Sequence, residues 1–190
     1  MNAYFSTAGA FLIEAVFGFY MVIVMLRLLL QLVRADFYNP LCQFIVKVTN
    51  PLLKPLRRII PGIAGIDMAS VLLLFVLQVI ELALVALAGG MTLAVPGLAV
   101  LSIAQLIALL LNVYMISILI QIILSWVGPG SYNPVTATLY ALNEPVMRPA
   151  RRILPPISGI DLSPILVFLA IGLLKILLVS PLLDLGRRLA

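Results

Sequence analysis

Two adjacent arginine pairs, Arg57-Arg58 and Arg151-Arg152, stand in matching stretches: PLLKPLRRIIPGIAGID from Pro51 to Asp67 and PVMRPARRILPPISGID from Pro145 to Asp161. A guanidinium is planar, permanently charged and able to grip a carboxylate or phosphate through two parallel hydrogen bonds. Beside Lys54 or Arg148, each pair therefore has the chemistry of an oxyanion site, with prolines holding the cations at one depth. A simpler role fits the same residues. Basic groups flanking a membrane span set its orientation and meet lipid phosphates, at about 1 kcal/mol each. Lys54, Arg57, Arg58, Arg148, Arg151 and Arg152 are thus either a specific anionic-lipid or partner-docking site, or markers of topology in contact with headgroups.

Other chemistry is poorly provided for. There is no histidine and one cysteine, Cys42, so an internal disulfide is impossible and the commonest metal ligand is missing. Glu14, Asp36, Asp67, Glu81, Glu144, Asp161 and Asp184 are scattered without an enzyme-like pair, and no phosphate-cradling glycine loop or nucleophile set occurs. Catalysis, a cofactor and a bound metal are not expected. The net charge of +5 sits beside apolar segments, where lipid headgroups compete for it, so direct nucleic-acid binding is not expected either.

The elements that must position these groups follow from composition. With 64% hydrophobic residues, 10% charged residues and a mean hydropathy of +1.23, the chain belongs in a bilayer. Four apolar segments approach or exceed the roughly 20 residues needed to cross a membrane. They are Phe11 to Val33, Met68 to Leu87, Leu98 to Val127 and Ile165 to Leu183. The third is overlong, which predicts tilt or an interfacial end. The first has no preceding Lys or Arg, and its small residues Ala8-Gly9-Ala10 come before the apolar run, so it reads as an uncleaved helix.

The chain also repeats itself. Tyr38-Asn39-Pro40 recurs as Tyr132-Asn133-Pro134, Pro51 as Pro145, Pro55 as Pro149, Pro61 as Pro155 and Gly65-Ile66-Asp67 as Gly159-Ile160-Asp161, every pair differing by 94 (161 − 67 = 94). The duplication divides the chain into residues 1–95 and 96–190, each holding span, basic connector, span. An even number of crossings brings the second copy in with the orientation of the first. The expected fold class is an all-α integral membrane protein, with four transmembrane helices as two parallel tandem repeats. Each repeat is expected to carry a cytoplasmic amphipathic connector helix. Eight basic residues in the connectors against Arg187 and Arg188 near the C-terminus make the connectors cytoplasmic by the positive-inside rule. Both termini and the Gly89 to Gly97 turn then face the periplasm.

Within each connector, Asn39 before Pro40 and Asn133 before Pro134 are helix caps followed by the favoured first-turn proline. Leu41, Phe44, Ile45 and Val48 predict one apolar stripe, and Val135, Thr138, Leu139 and Leu142 its weaker mate. Pro51, Pro55 and Pro61 are expected to break the chain, and Asp67 and Asp161 to cap the following spans. Arg27 lies within snorkelling reach of the connector side. Glu81 and Lys175, repeat mates, each lie 14 residues, about 21 Å, past those aspartates and inside the hydrocarbon. An intramembrane charge pair between them is attractive, with ion permeation or an intramembrane partner contact as alternatives. Gln105, Asn112, Ser117 and Gln121 either line a pore or bond between helices.

Two span pairs, each with Asn-Pro, Pro-x-x-[Lys/Arg]-Pro-x-Arg-Arg-x-[Ile/Leu]-Pro and Gly-Ile-Asp, resemble the YggT family of small membrane proteins, called YlmG in some bacteria and in plastids. The resemblance covers nearly the whole chain. It implies a bacterial inner-membrane protein without an established enzymatic activity. Relatives are associated with osmotic or ionic stress and potassium uptake, with cell division, and with assembly of plastid membrane complexes. The expected function is a non-catalytic scaffold, assembly or stress-related protein, docking on anionic lipid or a membrane-protein partner. A small oligomeric ion channel, transporter or regulator of ion uptake is the alternative.

Overall fold

A computed structural model describes residues 2–127, 133–155 and 161–190. Among the described residues seven α-helices follow in order: α1 (Asn2–Leu32), α2 (Pro40–Ile59), α3 (Met68–Ala88), α4 (Val95–Val127), α5 (Pro134–Ile153), α6 (Ser163–Leu174) and α7 (Ser180–Leu189). A π-helical turn, Lys175–Val179, joins α6 to α7 into one long rod. Four rods are long and apolar enough to cross a bilayer: Tyr4–Leu32, Met68–Ala88, Val95–Trp126 and Ser163–Leu189. The first begins earlier than hydropathy alone predicts, because polar Ser6 and Thr7 do not interrupt a helix whose backbone bonds close internally.

Within each copy the two spans pack on one another, α1 on α3 and α4 on α7, and α3 meets α4 between the copies. The cores are apolar. One includes Val24, Leu30, Ile45, Leu53 and Leu74, and a second centres on Ile118, Met147, Val167 and Ile171. Outward faces are apolar as well. Phe11, Phe19, Leu169 and Leu177 are exposed, and the fourth rod has only 17% of its most apolar window buried. Helices this apolar and this little covered require hydrocarbon as their solvent.

Two turns set the path between rods. The first span ends with Arg34 in the left-handed region, φ 53°, while the Ala35 N–H reaches back to the Leu30 carbonyl, the bond of a Schellman cap. Between α2 and α3, Ile63 and Ile66 exchange backbone bonds across Ala64 (φ 52°) and Gly65 (φ 81°), the pattern of a type I′ turn. The second copy's counterparts of this turn, with Tyr132, Gly159 and Ile160 of the repeated motif, lie outside the described residues.

The connectors correct two expectations. Pro51 and Pro55 do not break α2, nor do Pro145 and Pro149 break α5. All four lie on exposed faces, where a carbonyl freed by a missing N–H can be met by water or headgroups. The buried stripe largely follows the predicted one but is wider and loses one member from each copy. Ile45 is in the core and Leu41 and Val48 pack against it, joined by Cys42, Thr49 and Leu53, whereas Phe44 is exposed. On α5 Thr138 and Leu142 are buried, joined by Asn143 and Met147, and Val135 is exposed. Periodicity marks an apolar side but does not say which apolar residue at its edge meets the protein.

The fourth rod carries a π-helical turn. The Ser180 N–H and hydroxyl both donate to the Lys175 carbonyl, five residues back, just before Pro181. The wider turn accommodates a proline that cannot donate. Beyond it Gly186 presses on α4, where a β-carbon would meet Leu101 Cγ at 2.7 Å; at Gly172 a β-carbon would meet nothing within 4 Å. Gly186→Leu is therefore expected to lower stability in detergent by about 1–3 kcal/mol through overpacking. Gly172→Leu should leave the melting midpoint unchanged or higher, since glycine costs up to about 1 kcal/mol within a helix.

Candidate functional site

Each connector helix begins as its sequence dictates. Asn39 Oδ1 accepts the Leu41 N–H at 2.9 Å, and Asn133 Oδ1 accepts the Val135 N–H at 3.0 Å, completed by a capping box with Thr136. Asn39 has a second use. Its amide donates to Thr138 Oγ1 at 2.6 Å and to the Pro134 carbonyl at 2.5 Å, tying the start of α2 to the start of α5.

At the other end of each connector the arginine pair divides its labour. Arg57 donates to the Asp67 carboxylate through Nε at 3.1 Å and also through Nη2. Its repeat mate Arg151 holds Asp161 through Nε at 3.0 Å and reaches Glu144 at 3.2 Å. The first arginine of each pair thus clamps the aspartate that opens the next span. Asp67 stands at the N-cap position of α3, with its carboxylate taking Arg57 and the Ser70 hydroxyl at 2.6 Å. Asp161 stands one residue before the N-cap Leu162 and accepts the Ser163 N–H at 2.9 Å.

The second arginines face outward. Arg58 and Arg152, with Lys54 and Arg148 one turn earlier, are exposed and have no ion-pair partner among the described residues. Spacing of four along each helix puts both cations of a copy on one face.

Burial alone would raise the pKa of Asp67, but hydrogen bonds from Arg57 and Ser70 and the charge of Arg57 outweigh it and hold the carboxyl below its ordinary value. Burial is also opposed at Asp161, where bonds from Ser163 and then Arg151 bring its carboxyl down. A carboxyl depressed in the folded state stabilises fully above its ordinary pKa and loses that contribution as pH falls through the folded value. At Cys42, burial pushes the thiol up against the opposing bond with Thr138, which makes it a poor nucleophile.

A second polar layer lies deeper, and its main residue went unrecognised in the sequence. Arg27 does not snorkel outward: at 4% exposure it donates to Thr49 Oγ1, to Asn50 Oδ1 at 3.0 Å and to the Val46 carbonyl at 3.3 Å, pinning α1 to α2. Its repeat mate is Gln121 (27 + 94 = 121), which accepts from Asn143 at 2.7 Å. Asn143, the mate of Thr49, also accepts from Ser117 at 2.6 Å. The span-to-connector post is therefore conserved in position between the copies but built from different residue types.

Glu81 and Lys175 are not brought together. Glu81 accepts from Gln78 at 2.5 Å, and Gln78 also donates to Gln105 at 2.6 Å, whereas Lys175 Nζ donates to Asn112 at 2.6 Å. The two contact points on α4 are seven residues apart, about 10 Å along the axis, so each charge is met by a different amide. Gln105, Asn112, Ser117 and Gln121 all bond between helices. No group of three or more Cys, Asp or Glu side chains is placed to hold a metal among the described residues.

The family model CCB3/YggT matches residues 6–88 and 100–182, two segments offset by the same 94 residues (100 − 6 = 94). An uncharacterized protein of Pseudomonas aeruginosa is 45% identical over 177 residues, covering 92% of this chain and 90% of its own. An uncharacterized protein of Vibrio alginolyticus, from the proC 3' region, is 42% identical over 165 residues, with 85% and 88% covered. The uncharacterized protein YggT of Escherichia coli is 38% identical over 162 residues, with 84% and 82% covered. No solved structure matches the chain. The chain belongs to the CCB3/YggT family.

Exposure decides the relative strength of the two clamps. Asp67 is 6% exposed and Asp161 33%. Asp67→Asn is expected to cost about 1.5–3 kcal/mol, as for a hydrogen bond to a charged group, and Asp161→Asn within about 1 kcal/mol, as for a surface pair. Acid melts should show the wild type losing the difference as pH falls through the carboxylate range, with Asp67→Asn flatter there. For the buried charges, a double-mutant cycle should give Lys175→Met and Asn112→Leu a coupling of about 0.5–3 kcal/mol, and Glu81→Gln with Lys175→Met a coupling near zero.

Proposed function

We propose that this member of the CCB3/YggT family is a non-catalytic membrane docking protein that presents a cationic face on each connector to an anionic lipid surface or to an acidic segment of a membrane-protein partner. One observation carries the reading. The clamps occupy Arg57 and Arg151, and so fix the connectors while Lys54, Arg58, Arg148 and Arg152 remain exposed and unpaired among the described residues. A cation held on a rigid helix loses less freedom on binding than one on a loose tail. In this reading the protein lies in a bacterial inner membrane, with both connectors cytoplasmic and both termini periplasmic. The absence of an enzyme's acid, base or nucleophile set from the sequence supports a role without catalysis.

A second reading, an oligomeric ion channel, transporter or regulator of ion uptake, is favoured by Glu81, a carboxylate 8% exposed within a span with an amide rather than a cation as its partner. Potassium flux into liposomes carrying the purified protein separates the two. The docking reading expects none above empty vesicles.

Changing Lys54, Arg58, Arg148 and Arg152 to Gln should leave the fold intact, because none joins a clamp. Crosslinking to neighbouring membrane proteins and retention of anionic lipid should fall, by up to about 1 kcal/mol per cation. Changing Arg58 and Arg152 to Lys should restore only part of the loss if bidentate geometry counts, and all of it if charge alone does. Cysteine reporters near Lys54 and Arg148, introduced with Cys42 replaced, should be shielded from impermeant reagents in intact cells, and a reporter at Thr92 should react. Opposite labelling of the two connectors would contradict the shared orientation.

A further inference from the structure

The connector end of the first repeat contains a cavity of about 610 Å³, within the size range of ligand pockets, whose mixed lining includes the charged and polar residues Arg27, Gln31, Arg57 and Asp67. Its charge does not balance. Two guanidiniums face one carboxylate, and Arg27, almost fully buried, has only neutral acceptors in Thr49, Asn50 and the Val46 carbonyl. Gln31 also lines the cavity, and its Oε1 is a buried acceptor without a donor. A buried cation lacking a counter-ion and an orphaned acceptor are each costly, and a ligand bearing one negative charge and one hydroxyl donor satisfies both.

A second cavity, about 640 Å³ and almost wholly apolar, lies between α1, α3 and α4. Ile60 borders both cavities, and the consecutive residues Asp67 and Met68 line one each. Leu72 and Phe75 carry the apolar wall up to about two turns along α3 from Met68. Polar chamber and apolar groove therefore meet where the span meets the connector. Their order along the rod is that of a phospholipid headgroup and its acyl chain.

We propose that the first repeat is a seat for one phospholipid whose headgroup is a hydroxyl-bearing phosphodiester, of the phosphatidylglycerol class. The phosphate lies between Arg27 and Arg57, a headgroup hydroxyl donates to Gln31 Oε1, and an acyl chain fills the groove over Ile60. A phosphodiester carries the single negative charge that the cavity lacks. The second repeat offers no equivalent, since Gln121 and Ser125 stand where the first has Arg27 and Gln31. The seat uses a different set of side chains from the exposed cations, so it stands or falls separately from the docking reading.

Native mass spectrometry of the delipidated full chain in detergent tests it, with phosphatidylglycerol, phosphatidylmethanol and phosphatidylcholine of identical acyl chains, and with glycerol 3-phosphate as the chainless probe. Phosphatidylglycerol should saturate at one per chain and bind about tenfold tighter than the zwitterionic phosphatidylcholine. Phosphatidylmethanol, anionic but without a headgroup hydroxyl, should bind roughly fivefold more weakly than phosphatidylglycerol. Gln31→Leu should erase that difference while keeping the preference for charge, with no loss of melting midpoint because an unsatisfied acceptor is removed. Leu72→Trp, which fills the groove, should weaken every lipid about tenfold or more in protein of unchanged helicity. Equal binding of phosphatidylcholine and phosphatidylglycerol, a hydroxyl preference that survives Gln31→Leu, or glycerol 3-phosphate binding as tightly as the lipid would each overturn the proposal.

Discussion

The bond between the first arginine of each pair and the aspartate ten residues later is the constraint on which the arrangement rests. A connector helix and the span that follows it meet at a turn, and the turn over residues 61–66, exposed throughout, has little side-chain packing to hold its angle. Arg57 reaches over that turn to Asp67, and Arg151 reaches to Asp161. Each clamp neutralises the acidic group that opens a span, so the following rod enters the hydrocarbon without an unpaired charge at its mouth. The same bond turns the neighbouring arginine outward, because adjacent helical residues point about 100° apart.

Apart from Gln31 Oε1, polar groups deeper in the bundle continue the pattern of local hydrogen bonding, though not of charge pairing. Arg27 finishes on the neutral groups of α2, Lys175 on Asn112, and Glu81 on Gln78, which passes its other hydrogen on to Gln105. In a medium without water each polar group must find a partner within reach, and an amide on the next rod is as effective geometrically as a distant opposite charge. Four rods with so little buried surface rely on these bonds for register, since lipid tails compete equally for their apolar faces.

The rods and the duplication were legible in the sequence because each has a one-dimensional signal: an apolar run for a span, a constant offset of 94 for the repeat. Asn39 and Asn133 were legible as caps because the Asn-Pro pair acts within two residues. The clamps were not, since a contact between residues 57 and 67 crosses an aperiodic turn; the sole clue was that both members recur at the same spacing in the second copy. The edge of the connector stripe was misread for a physical reason. Phe44 and Ile45 are equally apolar and adjacent, but Ile45 lies in the core and Phe44 is exposed. Arg27 was hidden for another: its mate is Gln121, and equivalent posts built from unlike side chains leave no trace in a search for identities.

The π-helical turn at Lys175–Val179 has a consequence for how alike the two copies can be. An extra residue in one turn advances the azimuth of everything after it by about 100° relative to an unbroken helix. Positions 94 apart therefore share a facing up to Lys175 and lose it afterwards, over the residues whose mates close α3, while Gly186 has no helical mate at all because α3 ends at Ala88. A duplicated gene needs few changes to make its halves diverge in this way: Pro181 stands where the first copy has Leu87, and Ser180 where it has Ala86. One slipped phase in a single rod suffices, and from that level outward the pair is a chimera of a symmetric inner half and an individual outer one.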